Sequence, residues 1–98
     1  EVVLLGSDSA IEGIARAAIE EDADAIVIGV YNGNALALGE RLADCARRGG
    51  WRGTIFMGGI LNQDTGAGVP IDARPALTTL GVRCVDTADE LLRLLAAA

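Results

Sequence analysis

The sequence predicts an α/β fold in which four parallel strands alternate with four helices. Three observations predict it. Four short apolar runs, "EVVLL", "AIVIGV", "GTIFMGG" and "VRCV", are each followed by a stretch with helical spacing of apolar residues. The second run is apolar at every position except its glycine, as in a strand covered on both faces. Hydrophobic residues make up 51% of the chain but aromatic ones only 3%, so the core is aliphatic, as suits close-packed α/β layers.

Each element has a local reason. The β-branched start "EVVLL" stops at Gly6 and the polar "SDS", giving a strand and a turn. Ser9 and Glu12 have capping-box spacing, and Ile11, Ile14, Ala15, Ala18 and Ile19 form one face of a helix that ends near "EEDAD". After "AIVIGV", the turn "YNGN" suits tight or left-handed backbone, and Asn34 can cap the helix from Ala35 to Arg48. Leu38, Leu42, Cys45 and Ala46 point inward in that helix, which stops at Gly49 and Gly50.

"GTIFMGG" is the third strand. The stretch from Ile60 to Val69 that follows is long for a strand-to-helix connection, and long loops in compact domains tend to be functional. Asp72 can cap a third helix with Pro75 in its first turn and Gly81 at its end. "VRCV" is the fourth strand. Thr87 and Glu90 form a capping box for the last helix, with Leu91, Leu92, Leu94 and Leu95 inward. The 98 residues make a single domain, without repeats or linkers.

Parallel strands joined by right-handed crossovers open all strand-to-helix loops at one sheet edge, where open α/β sheets bind ligands. Glycines end three of the four strands there: Gly6, Gly29 and the pair Gly58-Gly59. Two readings of the pair stay open. It can allow a turn with positive φ, or it can let a flat ligand approach bare backbone. Tyr31 and Asn32, just past the second strand, are either turn residues or ligand contacts.

Several chemistries are excluded or weak. There is no phosphate-binding P-loop, no GxGxxG after the first strand and no GxSxG elbow. The chain has no histidine, which removes the usual general base and the commonest metal ligand. Asp8, Asp64, Asp72 and Asp86 each fit a turn or cap as well as a Mg²⁺ cluster. Cys45 and Cys84 read as buried reduced thiols. A net charge of −6 opposes nucleic acid and anionic membranes, and no apolar run approaches the ~20 residues of a membrane span. The expectation is a soluble, cytoplasmic protein. The chain begins at Glu1 with its first strand almost at once, which reads as a cut or engineered sequence.

A family resemblance covers nearly the whole chain. "ADAIVIGVYNGNALALGERLADCARRGGWRGTIFMGGILN", with "AAIEEDADAIVIG" and the closing "LGVRCVDTADEL", resembles the cobalamin-binding module of adenosylcobalamin-dependent mutases. It is most similar to the small subunit of glutamate mutase and less so to the C-terminal domain of methylmalonyl-CoA mutase. The resemblance implies a flavodoxin-like (Rossmann-like) three-layer fold, here truncated to βαβαβαβα. It also implies cobalamin (B12) as cofactor and a catalytic mutase subunit as partner.

Of the family's three signatures only the Gly-Gly is intact, at Gly58-Gly59. The Ser-x-Leu signature aligns with Gly29, Val30 and Tyr31, so the serine that meets the cofactor's benzimidazole is missing. The Asp-x-His-x-x-Gly segment is absent with its strand and helix, and no histidine is left to ligate cobalt. By resemblance, Gly58, Gly59 and Ile60 wall the slot for the cofactor's tail, and Gly29, Val30, Tyr31 and Asn32 stand opposite. Ser7, Asp8, Ser9, Asp86 and Thr87 supply the neighbouring loops. No catalytic or metal-ligating residue is assigned.

In the family order, the absent strand lies between the first two strands here. Three helices then share one sheet face and only the last covers the other. Exposing even ~400 Å² of apolar sheet forgoes roughly 10 kcal/mol, comparable to a domain's whole stability, so the bare face is expected to find a partner. The expected partner is a second copy, giving a homodimer by face packing or by exchange of a terminal element. Two functions are carried forward: a cofactor-binding module impaired by truncation, and an engineered or fragment scaffold that self-associates without ligand or activity.

Overall fold

The computed structural model describes residues 2–7, 11–66 and 68–97. The elements are β1 (Val3–Ser7), α1 (Ile11–Glu21), β2 (Ala25–Val30), α2 (Ala35–Arg48), β3 (Thr54–Gly59), β4 (Asn62–Gln63), β5 (Ile71–Asp72), α3 (Arg74–Thr79), β6 (Arg83–Cys84) and α4 (Ala88–Ala97). Strands β1, β2, β3 and β6 form one parallel sheet in that order. This is the predicted α/β architecture. In sequence order each strand lies beside its predecessor, so β1 pairs directly with β2 over five residues and no gap is left between them.

The period of two along each strand divides the sheet's residues between two faces. On one face Ile26, Ile28, Val30, Ile55, Met57 and Val82 pack against α1, α2 and α3 through Ala15, Ala18, Leu38, Leu42, Ala46 and Leu77. Each fully buried Leu or Ile there contributes roughly 1.5–3 kcal/mol. Small residues bring the layers close. A Cβ on Gly6 would collide with Ile14 of α1, and one on Gly39 would collide with Leu77 of α3. Gly6 lies inside β1, one residue before its end at Ser7, and is a packing glycine.

The other face has a smaller core of Ala25, Phe56 and Val85, covered by Leu91, Leu94 and Leu95 of α4. Three helices on one side and one on the other match the expected layering. Leu92 departs from its expected inward position: it is 64% exposed, because the packed stripe of α4 runs through Leu91, Leu94 and Leu95 instead.

The expected long loop carries a small sheet. β4 and β5 pair antiparallel, and Asn34 forms a bridge to Gln63. Asn34 is the N-cap residue of α2, but its side chain makes no cap hydrogen bond. The amide N–H of Ala37 donates instead to Gln63 Oε1 at 3.0 Å, so a residue distant in sequence satisfies an end of α2. Helix α3 starts one residue later than a cap at Asp72 implies, with Ala73 as N-cap. Asp72 still serves the turn by accepting the Arg74 N–H at 3.0 Å.

One half of the box at α4 forms as expected, while the Glu90 carboxylate reaches one residue further back than the cap residue Thr87. Glu90 N–H donates to Thr87 Oγ1 at 3.1 Å, and Asp86 N–H donates to Glu90 Oε1 at 2.9 Å. The Ser9–Glu12 box involves Ser9, which lies outside the described residues. At the amino edge Trp51 is buried, and its indole Nε1 donates to the Ala23 carbonyl at 2.6 Å, closing the β2–α2–β3 unit from below. Cys45 and Cys84 are free thiols, each half-buried rather than fully enclosed. Among the described residues no helix is long and apolar enough to cross a membrane.

Candidate functional site

The parallel register aligns the strand ends across the sheet. Ser7 pairs with Gly29, Gly29 with Gly58, and Val30 with Gly59. On the α4 side the last cross-strand row of β2 and β3 is thus Gly29 and Gly58. The row before it, Leu5, Val27, Phe56, Arg83, is bulky. This step from large side chains to bare backbone leaves a recess of about 210 Å³ at the carboxyl edge.

Gly29, Gly58 and Gly59 form its floor, Val27, Val85, Ala88 and Leu91 its sides, and Tyr31 its outer wall, with Asp86 and Thr87 at the mouth. The glycines have different physical reasons. Gly59 has φ +103°, and a Cβ there would collide with the Val30 carbonyl and come within 3.1 Å of the Tyr31 ring. Gly29 lies under the same ring, 3.4 Å from Cε2 to a built Cβ. Gly58 has negative φ and meets only Val85, at 3.3 Å, so its missing side chain mainly opens space.

Of the sequence-predicted site residues, Gly29, Tyr31, Gly58, Gly59, Asp86 and Thr87 come together at the recess. Val30 faces the opposite layer and is fully buried in the main core, because it alternates with Gly29 along β2. Its carbonyl accepts the Ile60 N–H at 2.8 Å. Ile60 and Asn32 are exposed and do not line the recess. Ser7 ends β1 beside Gly29, while Asp8 and Ser9 lie outside the described residues.

Sequence reasoning missed Val27, Val85, Ala88 and Leu91. The first was legible in the two-residue period, since Val27 and Gly29 share a face. Leu91 was assigned inward but not to a ligand wall.

The polar groups at the mouth are already engaged. The Asp86 carboxylate pairs with Arg74 at 3.0 Å, and Thr87 and Glu90 cap α4. Asp64 accepts the Gly66 N–H at 3.0 Å, so Asp64, Asp72 and Asp86 all do the turn and pairing work expected of isolated carboxylates. Among the described residues no group of three or more His, Cys, Asp or Glu is placed to hold a metal ion. Burial pushes the Cys84 thiol above its ordinary pKa, which makes it a poor nucleophile at neutral pH.

A larger hollow of about 690 Å³ lies at the amino edge, lined by Asp22, Asp24, Trp51, Arg52, Phe56 and Leu95 among others. It is at the wrong end of the strands for a ligand site in an open parallel sheet. Comparison with protein-family models, curated proteins and solved structures finds no match.

Proposed function

We propose that this chain is a cofactor-binding module of the cobalamin-carrier type, with no chemistry of its own, whose recess takes the flat heteroaromatic tail of the cofactor. The observation that carries the reading is the Gly29-Gly58 floor between apolar walls, at the sheet edge where parallel α/β folds bind ligands. A recess of about 210 Å³ is smaller than the ~300–1,000 Å³ of sites that enclose a whole ligand, so it suits one end of a larger molecule.

The residues fit the tail and not the metal. Bare backbone at Gly29 and Gly58 admits a planar group edge-on, with Tyr31, Val85 and Leu91 available to pack on it. No histidine exists anywhere in the chain to ligate cobalt. Bound cobalamin would therefore be held through its tail, its side chains and whatever a catalytic partner supplies.

A second reading has its own observation. Tyr31 is 69% exposed, its ring leans on Gly29 and Gly59, and the mouth residues are engaged in caps and an ion pair. That arrangement also suits a scaffold without ligand, in which the ring covers the bare backbone itself.

Desalting after incubation with hydroxocobalamin separates the two. Under the binding reading, colour stays with the protein, the tail leaves the cobalt without histidine replacing it, and cobinamide, which lacks the tail, is not retained. Equal loss of both corrinoids leaves only the scaffold. Equal retention of both would mean that the recess is not the determinant.

A further inference from the structure

Every basic side chain of this protein is an arginine, eight in all against 14 acidic residues. In so acidic a chain a guanidinium readily finds a carboxylate, and Arg41, Arg48 and Arg74 do so on Glu12, Asp44 and Asp86. Arg83 and Arg93 differ. Among the described residues neither forms an ion pair, and both line the same groove.

The groove, of about 410 Å³, follows the outer side of β6 between α3 and α4. The topology places it there: β6 is an edge strand, so no further strand covers its outer side, and the helices before and after it form the banks. Val82, which is 2% exposed, and half-buried Leu94 give it an apolar bed. Arg83 stands in register with Phe56, and its guanidinium lies 6.0 Å from the centre of that ring. This contact, at the outer limit of a cation–π interaction, steadies the head without using its N–H donors.

The charge balance of the groove runs against that of the chain. Glu90 also lines it, but its Oε1 accepts the Asp86 N–H at 2.9 Å, and the Asp86 carboxylate is held by Arg74. Two guanidiniums against one carboxylate leave the groove positive in a protein of net charge −6. The larger hollow at the amino edge has the opposite balance, with Arg52 beside Asp22 and Asp24.

We infer that this groove binds a small anionic molecule, a carboxylate or phosphate monoester on a compact apolar body. Arg83 and Arg93 hold the oxyanion, and Val82 and Leu94 lie under the body. A guanidinium presents paired N–H donors that match two oxygens of such a group. The volume falls within the ~300–1,000 Å³ of sites that enclose a small ligand. An extended polyanion is a poorer occupant, because the net charge of −6 repels whatever runs across the rest of the surface. No residue lining this groove lines the Gly29-Gly58 recess, so the two sites stand or fall separately.

Amide chemical shifts of the intact chain, followed by NMR at constant ionic strength in chloride, test this with phenyl phosphate, benzoate and inorganic phosphate. Phenyl phosphate or benzoate is expected to move the amides of Arg83, Cys84, Arg93 and Leu94 saturably, while those of Gly29 and Gly58 stay in place. The tighter of the two identifies the anionic group. Arg93→Gln, on the exposed surface of α4, should weaken binding about ten-fold, as expected for losing hydrogen bonds from a charged donor. Arg83→Lys keeps the charge but loses the planar fork, and should weaken it several-fold. Shifts that stay linear to tens of millimolar with both aromatic anions overturn the inference. So does a folded Arg93→Gln variant that binds as tightly as the parent, and equal affinity for inorganic phosphate overturns the role of the apolar bed.

Discussion

The ring of Tyr31 rests against the backbone of Gly59, close enough that a Cβ on Gly59 would come within 3.1 Å of Cε1 and Cζ. That glycine is held at φ +103° with its own clash against the Val30 carbonyl. The two halves of the Gly-Gly pair therefore do different work, and substitution separates them.

Gly59→Ala is expected to destabilise the fold by about 1–3 kcal/mol, since alanine pays for positive φ and displaces both Tyr31 and the Val30 carbonyl. Gly58→Ala meets only Val85 at 3.3 Å and should cost less, while raising the floor of the recess. Urea midpoints measure the first difference. Corrinoid retention measures the second: under the binding reading Gly58→Ala loses colour though it remains folded.

Gly6→Ala places a methyl where Ile14 of α1 now lies. Overpacking of this kind typically costs 1–3 kcal/mol. Ile14→Val in the same chain frees room, so the double variant should recover part of the loss. Strict additivity in that cycle would mean the two side chains do not meet.

Thr87→Ala removes the acceptor for the Glu90 N–H at the start of α4. The expected loss is about 1 kcal/mol, read as a lower urea midpoint with unchanged slope. Since α4 alone covers the Phe56 core, amide exchange in α4 should rise before that of β2 and β3.

Glu12 on α1 pairs with Arg41 on α2, and the hydrogen bond from Arg41, helped by the backbone, holds its carboxyl below the usual carboxylate range. A carboxyl with a lower pKa in the folded state adds stability above its unfolded pKa, and that increment is lost as pH falls through the folded value. The parent should therefore lose stability on acidification through the carboxylate range. Glu12→Gln should show a shallower acid limb and, because the pair is exposed, little change at neutral pH. Midpoints of the two chains that fall in parallel would show that the pair contributes nothing.

Much of this architecture was legible because its causes are local. Continuous apolar runs mark strands buried on both faces, and their alternation with one-faced helices forces parallel pairing. The Thr87-Glu90 hydrogen bond was readable for the same reason: its partners are three residues apart. Leu92 was misplaced because four leucines in five positions leave the wheel ambiguous, and only docking against Phe56 and Val85 chose the stripe. The role of Gln63 was invisible, since the helix end it satisfies is 26 residues away.

The residues by themselves determined the order of the helices and of the four main-sheet strands, though not the β4–β5 pair, together with the glycine-rich carboxyl edge and the absence of any histidine. Only the tertiary structure decided that Gly6 serves helix packing, that Gly29 and Gly58 form one floor, and that Val30 turns away from it. Register and interlayer distance are properties of pairs of distant segments, fixed when the sheet closes and the helices settle on it. A single segment's pattern carries no record of them.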